Sequence, residues 1–170
     1  MLIIFTGLYL YLGRHLINQT NSDRNRSDQQ NNIRLALKVK EFASPDFSTG
    51  LSRALWNWFP HYTDGVVNPL WPWMAARIHL KDQSDEDFFV RGKWWNIWLT
   101  LGILLIGAGI MSRYFSLPAT LNFLLLAGLG SFLPRAVWFQ PEPLYFALFL
   151  AAWICALMTL LRNSLWRYAL

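Results

Sequence analysis

Three long runs of this sequence contain no charged residue, and they limit the chain to folds that can bury such runs. They cover residues 94–112, 117–133 and 143–161. The first run has 19 residues, which is roughly 28 Å of helix and matches the hydrocarbon core of a bilayer. It begins with a cluster of tryptophans, a residue typical of the headgroup level of membranes. These runs predict membrane-spanning helices.

The charged residues lie almost entirely in the first half of the chain. Nine of the ten acidic residues precede residue 88, and the last 77 residues carry four arginines and one acid, Glu142. A soluble domain does not leave so long a stretch so poor in charge. This pattern excludes a simple soluble enzyme and a disordered chain, and the single cysteine excludes a disulfide-stapled scaffold. A net charge of +5, with both signs mixed, argues against a nucleic-acid partner.

Prolines mark the limits of the second and third runs. Pro118 and Pro143 suit the first turn of a helix, where a missing N–H is not needed. Pro134 follows the second run and predicts that its helix ends there. The second run is therefore a shorter span, or one that ends at a cavity.

The N-terminal segment is apolar over residues 2–13, until Arg14 and His15 follow. Twelve apolar positions are few for a span, so a signal peptide is the alternative interpretation. The segment lacks a basic beginning and a small-x-small cleavage pattern. We therefore predict that residues 1–18 form a first transmembrane segment whose start lies upstream or is minimal.

Residues 19–93 form a long polar segment before the next run. Apolar spacing predicts short surface helices at 33–42, 51–59 and 69–80, although 33–42 also fits the period of a strand. Ser84, followed by three acids, predicts the start of the helix that enters the run at residue 94. The predicted fold is an all-α membrane protein with about four transmembrane helices. A long extracytoplasmic loop precedes a three-helix region at 94–170.

Alternation of the spans predicts the topology. It places residues 19–93 and 134–142 on one face, and residues 113–116 and 162–170 on the other. The second face carries three arginines and no acid, as the positive-inside rule expects of cytoplasmic loops. The basic residues of the 75-residue loop are left out of this comparison, because long loops cross the membrane largely regardless of their charge. We predict a multi-pass protein of the cytoplasmic or inner membrane.

Three charged residues are candidates for chemistry. Glu142 lies between two prolines at a helix mouth, and an ionisable group near lipid is by default a functional hypothesis. Its alternative role is to cap the following helix. Arg135 suits a phosphate headgroup or simply snorkels to the interface, and Asp28 lies in a polar run where solvated or capping acids are usual. The sequence contains no phosphate-binding loop, nucleophile elbow or zinc-ligand cluster.

Four stretches resemble one family of membrane enzymes. They are RSDQQNNIRLALKVKE (26–41), DGVVNPLWPWMAARI (64–78), FFVRGKWWNIWLTL (88–101) and FLPRAVWFQPEPLYF (132–146). In order and spacing they resemble the N-terminal part of GT-C fold glycosyltransferases, in particular the polyprenyl-phosphate-dependent protein mannosyltransferase and aminoarabinose transferase group. The first stretch is similar to the family's motif in which an Asp begins the first outside loop. The last stretch carries a second acid at the next outside loop.

The resemblance implies transfer of a sugar from a polyprenyl-phosphate carrier to an acceptor outside the cytoplasm. It implies that Asp28 is the base that activates the acceptor, and that Glu142 lies near the acceptor or an optional divalent metal ion. It implies that Arg135 faces the carrier phosphate. Such enzymes have more spans, so the chain would be a fragment without transferase activity on its own. The alternatives are a non-catalytic membrane subunit or degenerate remnant and, third, a transporter fragment.

Overall fold

A computed structural model of the chain describes residues 1–19, 27–41, 70–80 and 83–162, with only the backbone of residues 27–28, 38–41, 157–158 and 160–162. Every regular element in these ranges is a helix, which confirms the all-α class. In chain order the elements are α1 (Leu2–Gln19), α2 (Ser27–Glu41), α3 (Leu70–Ile78), α4 (Asp85–Tyr114), α5 (Leu117–Phe123), a π-helix (Leu124–Phe132), α6 (Leu133–Ala136) and α7 (Glu142–Arg162).

Helix α4 is the longest element, with 30 residues. The Ser84 hydroxyl accepts a bond from the Asp87 N–H at 3.1 Å, and the first turn is acidic, so the predicted start is confirmed. By length and composition, α4 and the continuous helix Leu117–Ala136 can each cross a membrane. Helix α1 does not meet that criterion, and the apolar portion Glu142–Ala156 of α7 is shorter than a span. Two candidate spans are therefore shown, and the four-span topology stays a prediction.

The helix that begins at Leu117 does not stop before Pro134, as the sequence predicted, but continues to Ala136. Its middle is π-helical, and the Leu133 N–H donates to the Gly128 carbonyl, five residues earlier. Proline has no N–H to donate, and a change of hydrogen-bond pattern just before it accommodates that loss. The expectation of an end at Pro134 was therefore wrong.

Helix α1 packs antiparallel to α4. Its buried residues recur every four positions, at Phe5, Tyr9, Gly13 and Ile17. The Tyr9 hydroxyl is 2.8 Å from that of Thr100, and one turn further along α1 a Cβ on Gly13 would lie 3.0 Å from Ile97 Cδ1. Later residues of α1 therefore contact earlier residues of α4, as expected for antiparallel helices.

The short helices gather at the start of α4. Helix α2 begins at Ser27, six residues before the predicted 33–42, while α3 lies within the predicted 69–80. The predicted helix 51–59 lies outside the described residues. Helices α2 and α3 pack around a cluster with α4 and the segment before α7; its buried members are Ile33, Ala36, Trp71, Ala75, Phe88, Phe89, Phe139 and Leu144.

The helix bundle thus has two different ends. We call the end with α2, α3, the start of α4 and residues 137–142 the polar end. The opposite end, at the last turns of α4, is the apolar end. It contains a cavity of about 520 Å³ between α4, α5 and α7, lined by apolar and aromatic residues that include Gly107, Phe123 and Leu150.

Candidate functional site

Residues 137–141 connect α6 to α7 without regular secondary structure. Phe139 and Gln140 are nevertheless buried. Buried backbone N–H and C=O groups require hydrogen-bond partners within the protein, because solvent does not reach them. At residues 138–140 most of these partners are side chains of other helices.

Three amide side chains hold the segment, and we call Gln29, Asn32 and Asn96 the amide clamp. Gln29 Oε1 accepts a bond from the Phe139 N–H at 3.0 Å, and Asn32 Nδ2 donates to the Phe139 carbonyl at 3.1 Å. Asn96 Nδ2 donates to the carbonyls of Trp138 at 2.8 Å and Gln140 at 3.1 Å. Side chains from two helices, α2 and α4, therefore fix the three consecutive residues 138–140.

The Phe139 side chain anchors the same segment in the aromatic core. Its ring centroid lies 5.2 Å from that of Phe88 and 5.7 Å from that of Trp71, both edge-on. Gly92 faces the ring so closely that a Cβ there would overlap with it. Main chain and side chain together hold residue 139 in one position.

Glu142 follows this fixed segment as the first residue of α7. The preceding carbonyl, of Pro141, accepts bonds from the N–H groups of Leu144 at 3.0 Å and Tyr145 at 3.1 Å. Glu142 is half-buried, and its Oε2 is buried without a hydrogen-bond partner in the described part of the chain. A carboxylate at this position is favoured by the positive end of the helix dipole. The geometry presents one anchored, unsatisfied carboxylate oxygen.

Two further buried polar atoms of the polar end have no partner within the described ranges. They are Trp71 Nε1 and Asn96 Oδ1. The Lys93 side chain, on α4, is almost fully buried, with its ammonium 4.2 Å from the centre of the Phe89 ring. Helices α3, α4 and α7 thus each contribute a buried hydrogen-bonding group to the polar end, and α4 also contributes a buried cation.

The structure places the predicted site residues at the polar end but does not join them. Asp28 lies in the first turn of α2, next to Gln29 of the clamp, and its side chain is outside the description. Arg135 is exposed on α6, and its carbonyl accepts from the Trp138 N–H at 3.2 Å. The described residues show no bond between the side chains of Arg135 and Glu142. The roles of Asp28, Glu142 and Arg135 stay predictions.

The clamp and Lys93 were missed by sequence reasoning. Asn96 carried a signal, because an amide within an otherwise uncharged, apolar run is expected to bond across helices. Gln29 and Asn32 lie in a polar stretch, where nothing distinguishes a buried amide from a solvated one.

The optional divalent metal ion has little to hold it among the described residues. They contain no group of three or more His, Cys, Asp or Glu side chains that could bind a metal ion. We therefore derive no step through a metal. Comparison with protein-family models, with curated proteins and with solved structures finds no match to this chain.

Proposed function

We propose that this chain forms the start of a membrane glycosyltransferase of the GT-C type, which uses a polyprenyl-phosphate-linked sugar as donor. One observation supports the proposal beyond the sequence resemblance. It is the buried Oε2 of Glu142, which has no hydrogen-bond partner among the described residues and lies just after the segment that the amide clamp fixes. Fixed acceptors at a helix start are how an enzyme orients a hydroxyl group for reaction.

In this proposal Glu142 accepts a hydrogen bond from the acceptor hydroxyl and orients it, and Asp28 takes the proton. The acceptor oxygen then bonds to the anomeric carbon of the sugar, while the bond from that carbon to the carrier phosphate breaks. The leaving phosphate takes the bonding electrons, and the positive charge of Arg135 offsets its charge. A positioned general base of this kind contributes about 10²–10⁴-fold to the rate.

The test is an allele in the native host that encodes Glu142→Gln, with sugar transfer from the polyprenyl-phosphate donor measured in isolated membranes. We expect transfer to fall by about 100-fold at unchanged protein abundance, because the amide keeps the shape but loses the charge. Asp28→Asn should have the same effect. The matched control is Asp85→Asn, which neutralises an exposed acid in the first turn of α4.

A non-catalytic membrane subunit is the second candidate, and a different observation favours it. Phe139, which lies between the helices that carry Arg135 and Glu142, is fully buried, and Glu142 Oε2 is buried as well. Burial of both groups suits a structural role. Wild-type transfer rates in both the Glu142 and the Asp28 variants would favour this candidate and contradict the first.

A further inference from the structure

A second groove lies outside the amide clamp, on the exposed side of the start of α4. Its volume is about 600 Å³, and its lining consists of Leu80, Gln83, Asp87, Val90, Arg91 and Trp94. One wall carries an acid and a base, Asp87 and Arg91, which are both exposed and lie one helical turn apart. Trp94 is the first residue of the charge-free run.

The two charges are available to a ligand. Asp87 Oδ2 accepts a bond from the Ser84 hydroxyl at 2.7 Å, which leaves Oδ1 able to accept another. Within the described ranges the structure records no ion pair between Asp87 and Arg91 and no partner for the Arg91 guanidinium. The cation and the anion therefore face the same groove without neutralising each other.

The groove also lies at a defined depth, if α4 crosses the membrane as its length and composition allow. Tryptophan prefers the boundary between headgroups and hydrocarbon, so Trp94 marks that boundary. Arg91 and Asp87 then lie about one and two turns above it, at the level of lipid phosphates and terminal headgroup atoms. The acyl chains would follow the uncharged surface below Trp94.

We propose that this groove binds the headgroup of phosphatidylethanolamine. Its phosphate pairs with the guanidinium of Arg91, and its primary ammonium donates to the carboxylate of Asp87. A choline headgroup has a cation but no N–H to donate, and a glycerol headgroup has hydroxyl donors but no cation, so neither offers Asp87 a charged hydrogen-bond donor. This site requires no sugar transfer, and the glycosyltransferase proposal can fail without affecting it.

The test titrates the purified full chain with lipids of identical acyl chains and measures bound lipid by native mass spectrometry. We expect phosphatidylethanolamine to bind about fivefold more tightly than phosphatidylcholine or phosphatidylglycerol, the effect of one added charge contact near a membrane surface. Asp87→Asn should abolish this preference but keep the affinity for phosphatidylcholine. Arg91→Gln should weaken the binding of all three lipids by about fivefold.

The matched control is Arg113→Gln, which removes an exposed arginine from the last turn of the same helix. An equal loss of phosphatidylethanolamine in the Arg113 and Arg91 variants would overturn the proposal. An unchanged preference in Asp87→Asn would also overturn it. Competition by soluble phosphoethanolamine at the same concentration would assign the groove to a soluble ligand and overturn the lipid assignment.

Discussion

The two ends of the helix bundle are held by different interactions. At the polar end, four hydrogen bonds of 2.8–3.1 Å from the amide clamp fix residues 138–140, and the Phe139 ring is fully buried. At the apolar end, α4, α5 and α7 meet around a cavity of about 520 Å³ whose accessible surface is apolar. Hydrogen bonds are directional and specify one geometry, whereas apolar contacts tolerate several. A fixed geometry is what a site requires, so the comparison favours the polar end as the place of the proposed site.

Among substitutions that test this difference between the two ends, Asn96→Ala is expected to have the largest effect on stability. The change leaves the buried carbonyl of Gln140 and the partly buried carbonyl of Trp138 without their donor. Two such unsatisfied groups cost about 2–5 kcal/mol of unfolding free energy. We expect a large loss of thermal stability in detergent micelles or bilayers. Asn122→Ala, at an exposed asparagine of α5, is the control, and an equal loss in both variants would show that the clamp is not what holds this end.

A smaller effect at the same end is expected from Gly92→Ala. The new Cβ overlaps with the Phe139 ring, which its aromatic neighbours prevent from moving away. Overpacking of this kind costs about 1–3 kcal/mol, measured by the same melting experiment. Gly102→Ala on the same helix meets nothing within 4 Å and should stabilise slightly, by up to about 1 kcal/mol. Equal stability of the two variants would contradict the tight packing of residue 139.

The smallest effect is expected at the apolar end, from Gly107→Ala. Its Cβ would lie 3.0 Å from Phe123 Cζ, a tight contact, but that half-buried ring borders the cavity and can shift into it. We expect the unfolding free energy to change by less than about 0.5 kcal/mol, since the gain in helix propensity offsets the ring movement. A loss as large as that of Gly92→Ala would show that the apolar end is as rigid as the polar end.

The sequence predicts those parts of the fold that depend on neighbouring residues. The charge-free runs identify α4 and the helix Leu117–Ala136 as candidate spans, and Ser84 with its three acids identifies the start of α4. Both signals are local, since hydropathy and helix capping involve residues within a few turns. The continuation through Pro134 was not predicted, because a π-helical hydrogen-bond pattern has no comparable signature in composition.

The candidate site was predicted only in part, and distance along the chain explains why. Glu142 stood out as the last acid in an uncharged half of the sequence. Gln29 and Asn32 bond to Phe139, which lies 110 and 107 residues away, so no local pattern indicates their role. Helix α2 also starts earlier than its apolar spacing indicated, since Gln29 and Asn32 in its polar first turns are buried and bond to residue 139.

The π-helix Leu124–Phe132 determines the direction in which the chain leaves its second candidate span. An α-helix rotates the chain by about 100° per residue, whereas the wider turns of a π-helix rotate it less. This difference in rotation adds up across the nine residues of the π-helix. The residues that follow therefore point in a different direction around the helix axis than they would after a straight α-helix. The π-helical hydrogen bonds of Leu124–Phe132 therefore determine the direction in which Arg135 and the link to α7 leave the helix.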